Sequence, residues 1–299
     1  MAKTAQPLTG RVAAITGAAR GIGKATAQAF VRQGMKVAIG DLDLEEAERT
    51  AGELGSGTVA FHLNVTEKAS VERFLDETEA ALGPLDVLVN NAGIMQLGRF
   101  WEEDDATAQR MVDINLHGVI YGAKGALHRM IPRNRGAIVN IASQAGLYGA
   151  PGGATYSATK HGVVGLSEAL RGELRLAGHD IQVSYVCPVV VNTELGQGTA
   201  DTKGVTIIEP ADVADAIVDA LQHGVVDVHV PKSVKRIQKV TALLPRPAAE
   251  GIARVMKADR VLFEADPNAR KGYELRASKS EPGLEPGDEA KQLTASTER

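Results

Sequence analysis

Tyr156 and Lys160 stand four residues apart in the stretch Tyr156-Ser-Ala-Thr-Lys160. On a helix that spacing puts both side chains on one face. An ammonium group beside a phenol favours the phenolate and lowers its pKa from a reference near ~10. Such a phenol can exchange protons near neutral pH, which general acid–base chemistry requires. The same spacing also occurs on ordinary surface helices, where it does no chemistry. The rest of the chain has to decide between the two.

Upstream, Gly17-Ala-Ala-Arg20-Gly21-Ile22-Gly23 follows an apolar run, 11–16, and precedes a helical pattern, 24–32. A strand, a glycine-rich turn and a helix start make an anion site. Free N–H groups and the helix dipole face the ligand, and glycines let the backbone approach it. The spacing is G-x-x-x-G-x-G rather than the common G-x-G-x-x-G, and an ordinary strand-to-helix turn would also use glycines. Asp41 ends the next apolar run. A carboxylate about twenty residues past the turn can bond ribose hydroxyls and repel a 2′-phosphate, which favours NAD over NADP. Arg20 pulls the other way, because it could reach a phosphate. Asp41 has a second reading as the N-terminal carboxylate of a helix starting near Leu44.

These residues need elements to hold them. Apolar runs at 11–16, 36–40, 58–63, 86–89, 136–141, 181–187 and 225–230 read as strands. Between them 24–32, 45–54, 67–82, 101–130, 154–177 and 211–222 read as helices. Such alternation, with strands this apolar, implies a parallel sheet covered on both faces. Ligands of such sheets bind beyond the carboxyl ends of the strands. The glycine turn, Asp41, Asn90-Asn91-Ala92-Gly93 and Ser143 all follow strands directly, so they should share one edge. Asn and Gly tolerate unusual backbone angles, and amides can tie neighbouring strand ends together. Asn115 falls inside the 101–130 helix, where asparagine is unfavourable without a reason; a hydrogen bond to a carbonyl or to solvent would be one.

Composition narrows the classes. The chain has 299 residues, 44% of them hydrophobic, enough for one large domain or two modest ones. A net charge of -4 leaves no basic footprint for nucleic acid. The one cysteine, Cys187, excludes an internal disulfide framework and fits a reducing compartment. The first ten residues lack the apolar core of a signal peptide, and no stretch approaches the ~18 apolar residues of a spanning helix. A cytoplasmic location is the expectation. No internal repeat is visible.

In this order the motifs resemble the short-chain dehydrogenase/reductase family. Thr16-Gly17-x-x-x-Gly21-x-Gly23 is similar to its cofactor motif and Asn90-Asn91-Ala92-Gly93 to its sheet-stabilising motif. Asn115, Ser143, Tyr156 and Lys160 match its catalytic tetrad in order and spacing, and Asn64-Val65 resembles the segment that holds the adenine ring. The match spans about residues 8–230, the expected dinucleotide-binding catalytic domain. The resemblance implies a Rossmann-like, doubly wound α/β fold of about seven strands in three layers, α/β/α. It implies an NAD-dependent oxidoreductase acting on CH–OH groups. Tyr156 would be the acid in ketone reduction and the base in alcohol oxidation, and Ser143 would bond the substrate oxygen. Lys160 would bind the nicotinamide ribose and keep Tyr156 acidic, and Asn115 would anchor a water leading to solvent. The cofactor would lie on Gly17, Arg20, Gly21, Ile22, Gly23, Asp41, Asn64, Val65, Asn91, Ala92, Gly93, Tyr156, Lys160, Pro188, Val191 and Thr193. The hydride chemistry belongs to the nicotinamide, and no metal ion is assigned. One departure stands out: the family usually has Pro-Gly after the sixth strand, and here the pair is Pro188-Val189. Val189 would alter the ring position or the pocket width unless the backbone there is extended, where valine is comfortable.

The expected substrate residues are Met95, Gln144, Ala145, Tyr148 and Val189, with Gln96, Leu97, Leu147, Val190 and the loop 194–208 nearby. They are mostly apolar and include no arginine or lysine, whereas an anionic substrate would want a cation. A hydrophobic secondary alcohol or ketone, such as a steroid, retinoid or fatty chain, is the expected partner. Glycines at 196, 198 and 204 suit a lid. Beyond 230 a helical extension to 275 is expected. Residues 232–249 carry five basic residues and no acidic one. Their pattern places Val234, Ile237, Thr241 and Leu244 opposite Lys235, Arg236 and Lys239. Such a helix can lie on a membrane surface, pack on its own subunit, cover the pocket mouth or dock a partner. A second amphipathic helix, 248–263, follows Pro245-Arg-Pro247. The tail 276–299 is polar and reads as disordered. The family's habit implies a homodimer or homotetramer through the helices at 107–130 and 154–177, and Gly118, Gly122, Gly162 and Gly165 would permit close helix approach. Two alternatives remain open at this stage: an NADP-linked ketone reductase, and a non-catalytic dinucleotide-binding scaffold or sensor that uses the basic helices.

Overall fold

The computed structural model describes residues 5–199, 207–241, 243–255 and 259–279. Seven strands form one parallel sheet: β1 (Val12–Thr16), β2 (Lys36–Asp41), β3 (Thr58–His62), β4 (Leu85–Asn90), β5 (Gly136–Ile141), β6 (Ile181–Pro188) and β7 (Asp227–Val230). Their order is β3-β2-β1-β4-β5-β6-β7. The order reverses between β1 and β4, and a crevice opens there at the carboxyl edge. The parallel sheet expected from the alternation, and the Rossmann-like doubly wound fold that the family resemblance implies, are both observed.

The strands are apolar on both faces because each face is covered. Ala13, Ile15, Val37, Ile39, Val87 and Val139 pack with helices α1 (Gly21–Arg32), α2 (Leu44–Leu54) and α7 (Pro210–His223). Their strand neighbours Val12, Ala14, Ala38, Leu88 and Ile138 pack with α3 (Lys68–Leu82), α5 (Gly118–Met130) and the end of α6 (Ala154–Leu176). Successive residues point to opposite faces, so one strand feeds both cores.

The expected single helix over 101–130 is instead broken. A short 3₁₀ turn at Phe100–Glu102 and helix α4 (Asp105–Val112) lead into a π-helical turn at Asp113–His117, and α5 begins at Gly118. The π turn carries Asn115 and lets its amide bond sideways, which a regular helix would not favour.

Beyond β7 the chain continues as α8 (Lys232–Thr241), α9 (Arg246–Val255) and α10 (Pro267–Lys279). Sequence patterning anticipates α8 and most of α9 but not α10, which runs past Arg276 into the segment read as a tail. Residues 280–299 lie outside the described residues. So do the side chains of Ile237, Lys239 and Thr241, on which the amphipathic reading of 232–249 partly rests. Lys232 pairs with Asp219 at 3.0 Å and Lys235 with Asp227 at 2.6 Å, so part of this basic face is directed at the α/β domain. Among the described residues no helix is long and apolar enough to cross a membrane.

Candidate active site

The phosphate end is built by the turn between β1 and α1. Gly17 and Gly21 adopt φ of 63° and 57°. At Gly23 a Cβ would come within 2.5 Å of the Gly17 carbonyl, so α1 can start this close to β1 only with glycine there. The first turn of α1 has no side-chain cap and no acidic residue. Its N–H groups, from Gly21, Ile22 and Gly23, are therefore available to an anion at the carboxyl edge of the sheet. The turn is held from the next strand. Asn91 Nδ2 donates to the carbonyls of Thr16 (2.9 Å) and Gly17 (2.7 Å), and Thr16 Oγ1 accepts from the N–H groups of Asn91 and Ala92, both at 3.0 Å. The neighbouring Asn90 donates to Asn140 Oδ1 at 2.9 Å, and Asn140 donates to Ser167 Oγ at 2.9 Å. A buried amide chain thus links β4, β5 and α6.

Asp41 sits at the end of β2 and faces the same cleft. Its Oδ2 accepts from Ala19 N–H at 2.9 Å and its Oδ1 from Asp43 N–H at 3.1 Å. Burial raises its pKa above the ordinary value, and the two backbone N–H groups oppose that rise. The helix-cap reading of Asp41 is overturned, because Asp43 is the residue that caps α2, accepting from Glu46 N–H at 3.2 Å. Arg20 does not point to solvent alone. Its Nη2 is 2.6 Å from Asp43 Oδ2, an ion pair that turns the guanidinium toward its own carboxylate.

At the centre of the cleft the Tyr156 phenol and the Ser143 side chain are neighbours, and Ser143 opposes part of the rise in the phenol's pKa. Ser143 accepts from Ala145 N–H at 3.1 Å, which fixes it at the end of β5. Lys160 Nζ lies over the Tyr156 ring, 5.7 Å from its centroid, and donates to the Ile141 carbonyl at 2.9 Å. Tyr156 is 6% exposed and Lys160 4%. The expectation that the lysine lowers the phenol fails in this geometry. Burial pushes Tyr156 up to about 12, only partly opposed by Ser143, and pushes Lys160 down to about 8. Desolvation disfavours both charged forms and is the largest cause of both shifts. Asn115 is held on both sides: Oδ1 accepts from Ile94 N–H at 2.8 Å, and Nδ2 donates to Ile94 O at 2.8 Å and to Thr159 Oγ1 at 3.2 Å. Thr159 in turn donates to the Tyr156 carbonyl at 2.7 Å. Thr159 carries no sequence signal, since its role depends on Asn115 arriving from forty-four positions away.

One continuous cleft of about 2080 Å³ joins these groups. Its lining includes Gly17, Arg20, Gly21, Ile22, Asp41, Asn64, Val65, Asn91, Ala92 and Gly93, then Ser143, Tyr156, Lys160, Pro188, Val191 and Thr193. Gly23 and Asn115 stand just behind it. Thr193 faces Gly21 across the cleft, with its Cγ2 3.4 Å from where a Cβ on Gly21 would lie. Asn64 is held in a local turn by Thr66 and Glu67, and Val65 packs beneath Gly118. Val189 N–H donates to Val230 O at 3.0 Å, so the residue continues the strand pairing and its side chain meets the cleft wall.

At the far end Met95, Gln144, Ala145, Leu147, Tyr148, Val189 and Val190 line the cleft, while Gln96 and Leu97 do not. Leu97 packs instead on the Met95–Tyr156 cluster. Gln144 turns its amide to Cys187 O at 2.6 Å. Residues 200–206 of the 194–208 loop lie outside the described residues. The C-terminal extension adds Arg254, Val261, Leu262, Tyr273 and Arg276 to the wall. Two of these are arginines, so the sequence-based picture of a wall without cations is corrected. Arg276 pairs there with Glu194 at 3.2 Å.

Comparison with known proteins agrees with this geometry. The short chain dehydrogenase family model matches residues 11–204. The chain belongs to the short-chain dehydrogenase/reductase family. Members of this family are oxidoreductases, and this chain is one. It is 40% identical over 192 residues to a sorbitol dehydrogenase of Cereibacter sphaeroides, covering 64% of this chain and 74% of that protein. It is 36% identical over 215 residues to a 3-alpha-(or 20-beta)-hydroxysteroid dehydrogenase of Mycobacterium tuberculosis, covering 71% and 82%. A crystal structure of a short-chain dehydrogenase/reductase from Burkholderia phymatum in complex with NAD superposes with a TM-score of 0.73 at 27% identity, covering 79% of this chain and 94% of that one.

Proposed function

We propose that the protein is an NAD(H)-dependent oxidoreductase that interconverts a hydrophobic secondary alcohol and its ketone. The observation that carries this reading is the Tyr156–Ser143 hydroxyl pair at the centre of a cleft that runs from the uncapped start of α1 to an apolar wall. NAD, when bound, takes or returns the hydride at the carbinol carbon. Gly17, Gly21, Ile22 and Gly23 would hold its diphosphate, Asp41 its adenosine ribose, Asn64 and Val65 its adenine, and Asn91, Ala92, Gly93, Pro188, Val191 and Thr193 its nicotinamide half.

The residues divide the proton work. Ser143 donates to the substrate oxygen and holds it beside Tyr156. In reduction Tyr156 gives its proton to that oxygen; in oxidation it must first lose its own proton, and the phenolate then takes the hydroxyl proton. With a pKa near 12 in the free protein it rests as the neutral acid. Lys160, near 8 and over the Tyr156 ring, is the neighbouring titratable group through which the phenol's proton would be exchanged. Both Asn115 Nδ2 hydrogens are used, so a water leading to solvent would donate to Asn115 Oδ1 or sit on the backbone of the π turn.

Asp41 supports NAD over NADP. Its carboxylate ends β2 at the cleft and would repel a 2′-phosphate, and Arg20, which could have balanced that charge, is paired with Asp43. The apolar wall of Met95, Ala145, Val189, Val261 and Leu262 supports a steroid-, retinoid- or fatty-chain-like body. Cytoplasmic operation as a homodimer or homotetramer completes the reading. On α6, Gly165 and Gly172 meet nothing within 4 Å of a Cβ and would suit a subunit contact, whereas Gly118, Gly122 and Gly162 are used inside the subunit.

The test is a binding titration of NADH against NADPH, followed by 2-octanol and cyclohexanol with NAD. Tighter NADH binding and reduction of NAD by either alcohol support the reading. Tighter NADPH binding would overturn the role given to Asp41, and binding without any turnover would overturn the substrate class.

A further inference from the structure

The family match ends at residue 204, well before α10 begins. Yet α10 is fastened to the substrate end of the cleft. Arg270 is 1% exposed. Its Nη2 donates to Met95 O at 2.7 Å, and its Nη1 to Leu195 O at 2.9 Å and Gln197 O at 2.8 Å. Its Nε donates to Glu274 Oε1 at 2.9 Å, one helical turn on. The guanidinium also lies 5.1 Å from the centroid of the Tyr273 ring, and Tyr273 Oη accepts from Met95 N–H at 2.8 Å. Both backbone groups of Met95 are therefore held by α10. Asp266 N–H adds a bond to Gly198 O at 2.8 Å.

The two segments held in this way come from different places. Met95 follows β4, while Leu195 and Gln197 follow β6, and neither segment is paired in the sheet. Met95 shares one buried cluster with Tyr156, and Leu195 packs against that cluster. An apolar side chain would anchor a helix with less desolvation cost than a buried guanidinium. What the guanidinium adds is a rigid fork of five donors, able to hold carbonyls on two separate segments at once. Glu274 compensates the buried charge.

We propose that Arg270 is a positioning residue that locks the loop after β4 to the loop after β6, with Tyr273 as its second contact. The substrate end of the site would then take its shape from a helix beyond the family match. This inference rests on the proposed function in placing the substrate at that end.

The test compares Arg270→Met and Arg270→Lys with the unaltered protein, all with NADH bound. Hydrogen exchange is followed in peptides covering 94–98 and 194–199. Exchange in both is expected to rise by about tenfold or more in Arg270→Met and less in Arg270→Lys, with β1 unchanged. NADH affinity should stay within about twofold. For 2-octanol with NAD, KM should rise about tenfold while kcat changes by less than about threefold. Unchanged exchange in the two segments, or acceleration spread equally over β1 and β4, would overturn the assignment. Should Arg270→Met not fold, Glu274→Gln takes its place, with a smaller rise expected in the same two peptides. If the unaltered protein does not turn over 2-octanol, the substrate reading fails, while the exchange pattern still decides the role of Arg270.

Discussion

The two ends of the cleft are held together by different means. At the cofactor end Thr16, Gly17, Ala19, Asp41, Asn91 and Ala92 bond directly to one another, and all belong to the first strands of the sheet or the turns that leave them. Nothing from outside the α/β unit is needed. At the substrate end the backbone carbonyls of Met95, Leu195 and Gln197 have their side-chain partner in Arg270, which for Met95 is 175 positions away. One end comes with the fold; the other is supplied by an appended helix. Residues that bind a cofactor common to many enzymes can therefore stay with the sheet while the substrate wall changes independently.

Several perturbations would break or sharpen this contrast. The largest effect is expected where the two ends meet. Tyr156→Phe should lower turnover by roughly 10²–10⁴-fold and leave NADH affinity within about twofold, as read by steady-state kinetics and titration. A comparable loss of binding would mean that the phenol belongs to the cofactor end alone.

Next comes pH. Burial pushes Lys160 down to about 8 in the folded protein, against an ordinary 10.5. Between those values the unfolded chain binds the extra proton, so this group makes stability rise with pH. Tyr156 holds its proton to about 12 against 10.0, so above 10 the unfolded chain loses protons first and stability falls. The pair's contribution should rise from about pH 8 and peak near about pH 10, with an amplitude on the order of a few kcal/mol. Urea titrations of the cofactor-free protein at stepped pH would measure it, and Lys160→Met should abolish the rising limb.

At the cofactor end Thr16→Val leaves the N–H groups of Asn91 and Ala92 without their acceptor. It should cost about 1–3 kcal/mol in denaturant unfolding and weaken NADH binding. Asp41→Ala should narrow the preference for NADH over NADPH by about tenfold, and Asp41→Asn separates charge from bracing. If the asparagine variant binds NADH as before but NADPH more tightly, repulsion is the cause. The smallest effect belongs to the substrate end: Tyr273→Phe removes one acceptor from Met95 and should cost about 0.5–1.5 kcal/mol, appearing as a rise in KM for the alcohol at unchanged NADH affinity.

The same contrast explains what the chain lets one read. Strands such as Gly136–Ile141 are local apolar runs, and the glycine turn is a local pattern, so the sheet and the cofactor end are legible in order. Tyr156 and Lys160 are legible as a pair because helical spacing is local too. Their protonation is not, because it depends on burial by Met95, Met111 and Ala145, which arrive from elsewhere. Asn115 is noticeable as a misplaced mid-helix asparagine, but the π turn that explains it comes from contacts to Ile94 and Thr159. Arg270 and Glu274 look like any surface pair at i, i+4, and Tyr273 like any other tyrosine. Only the folded chain shows them facing inward.

One small feature has wider reach. Val191 and Ile208 form an isolated parallel bridge, and Asn192 N–H donates to Ile208 O at 2.8 Å. The stretch they enclose begins and ends at the same point, like an insert clipped at its base. Lengthening such an insert costs little, about 0.6 kcal/mol for each doubling. Past Thr193, which is assigned to the cofactor, its length can be changed by design without disturbing the register of β6 and β7. For an engineer seeking a new substrate, this makes the stretch a cassette, with α10 as the part that must be rematched to it.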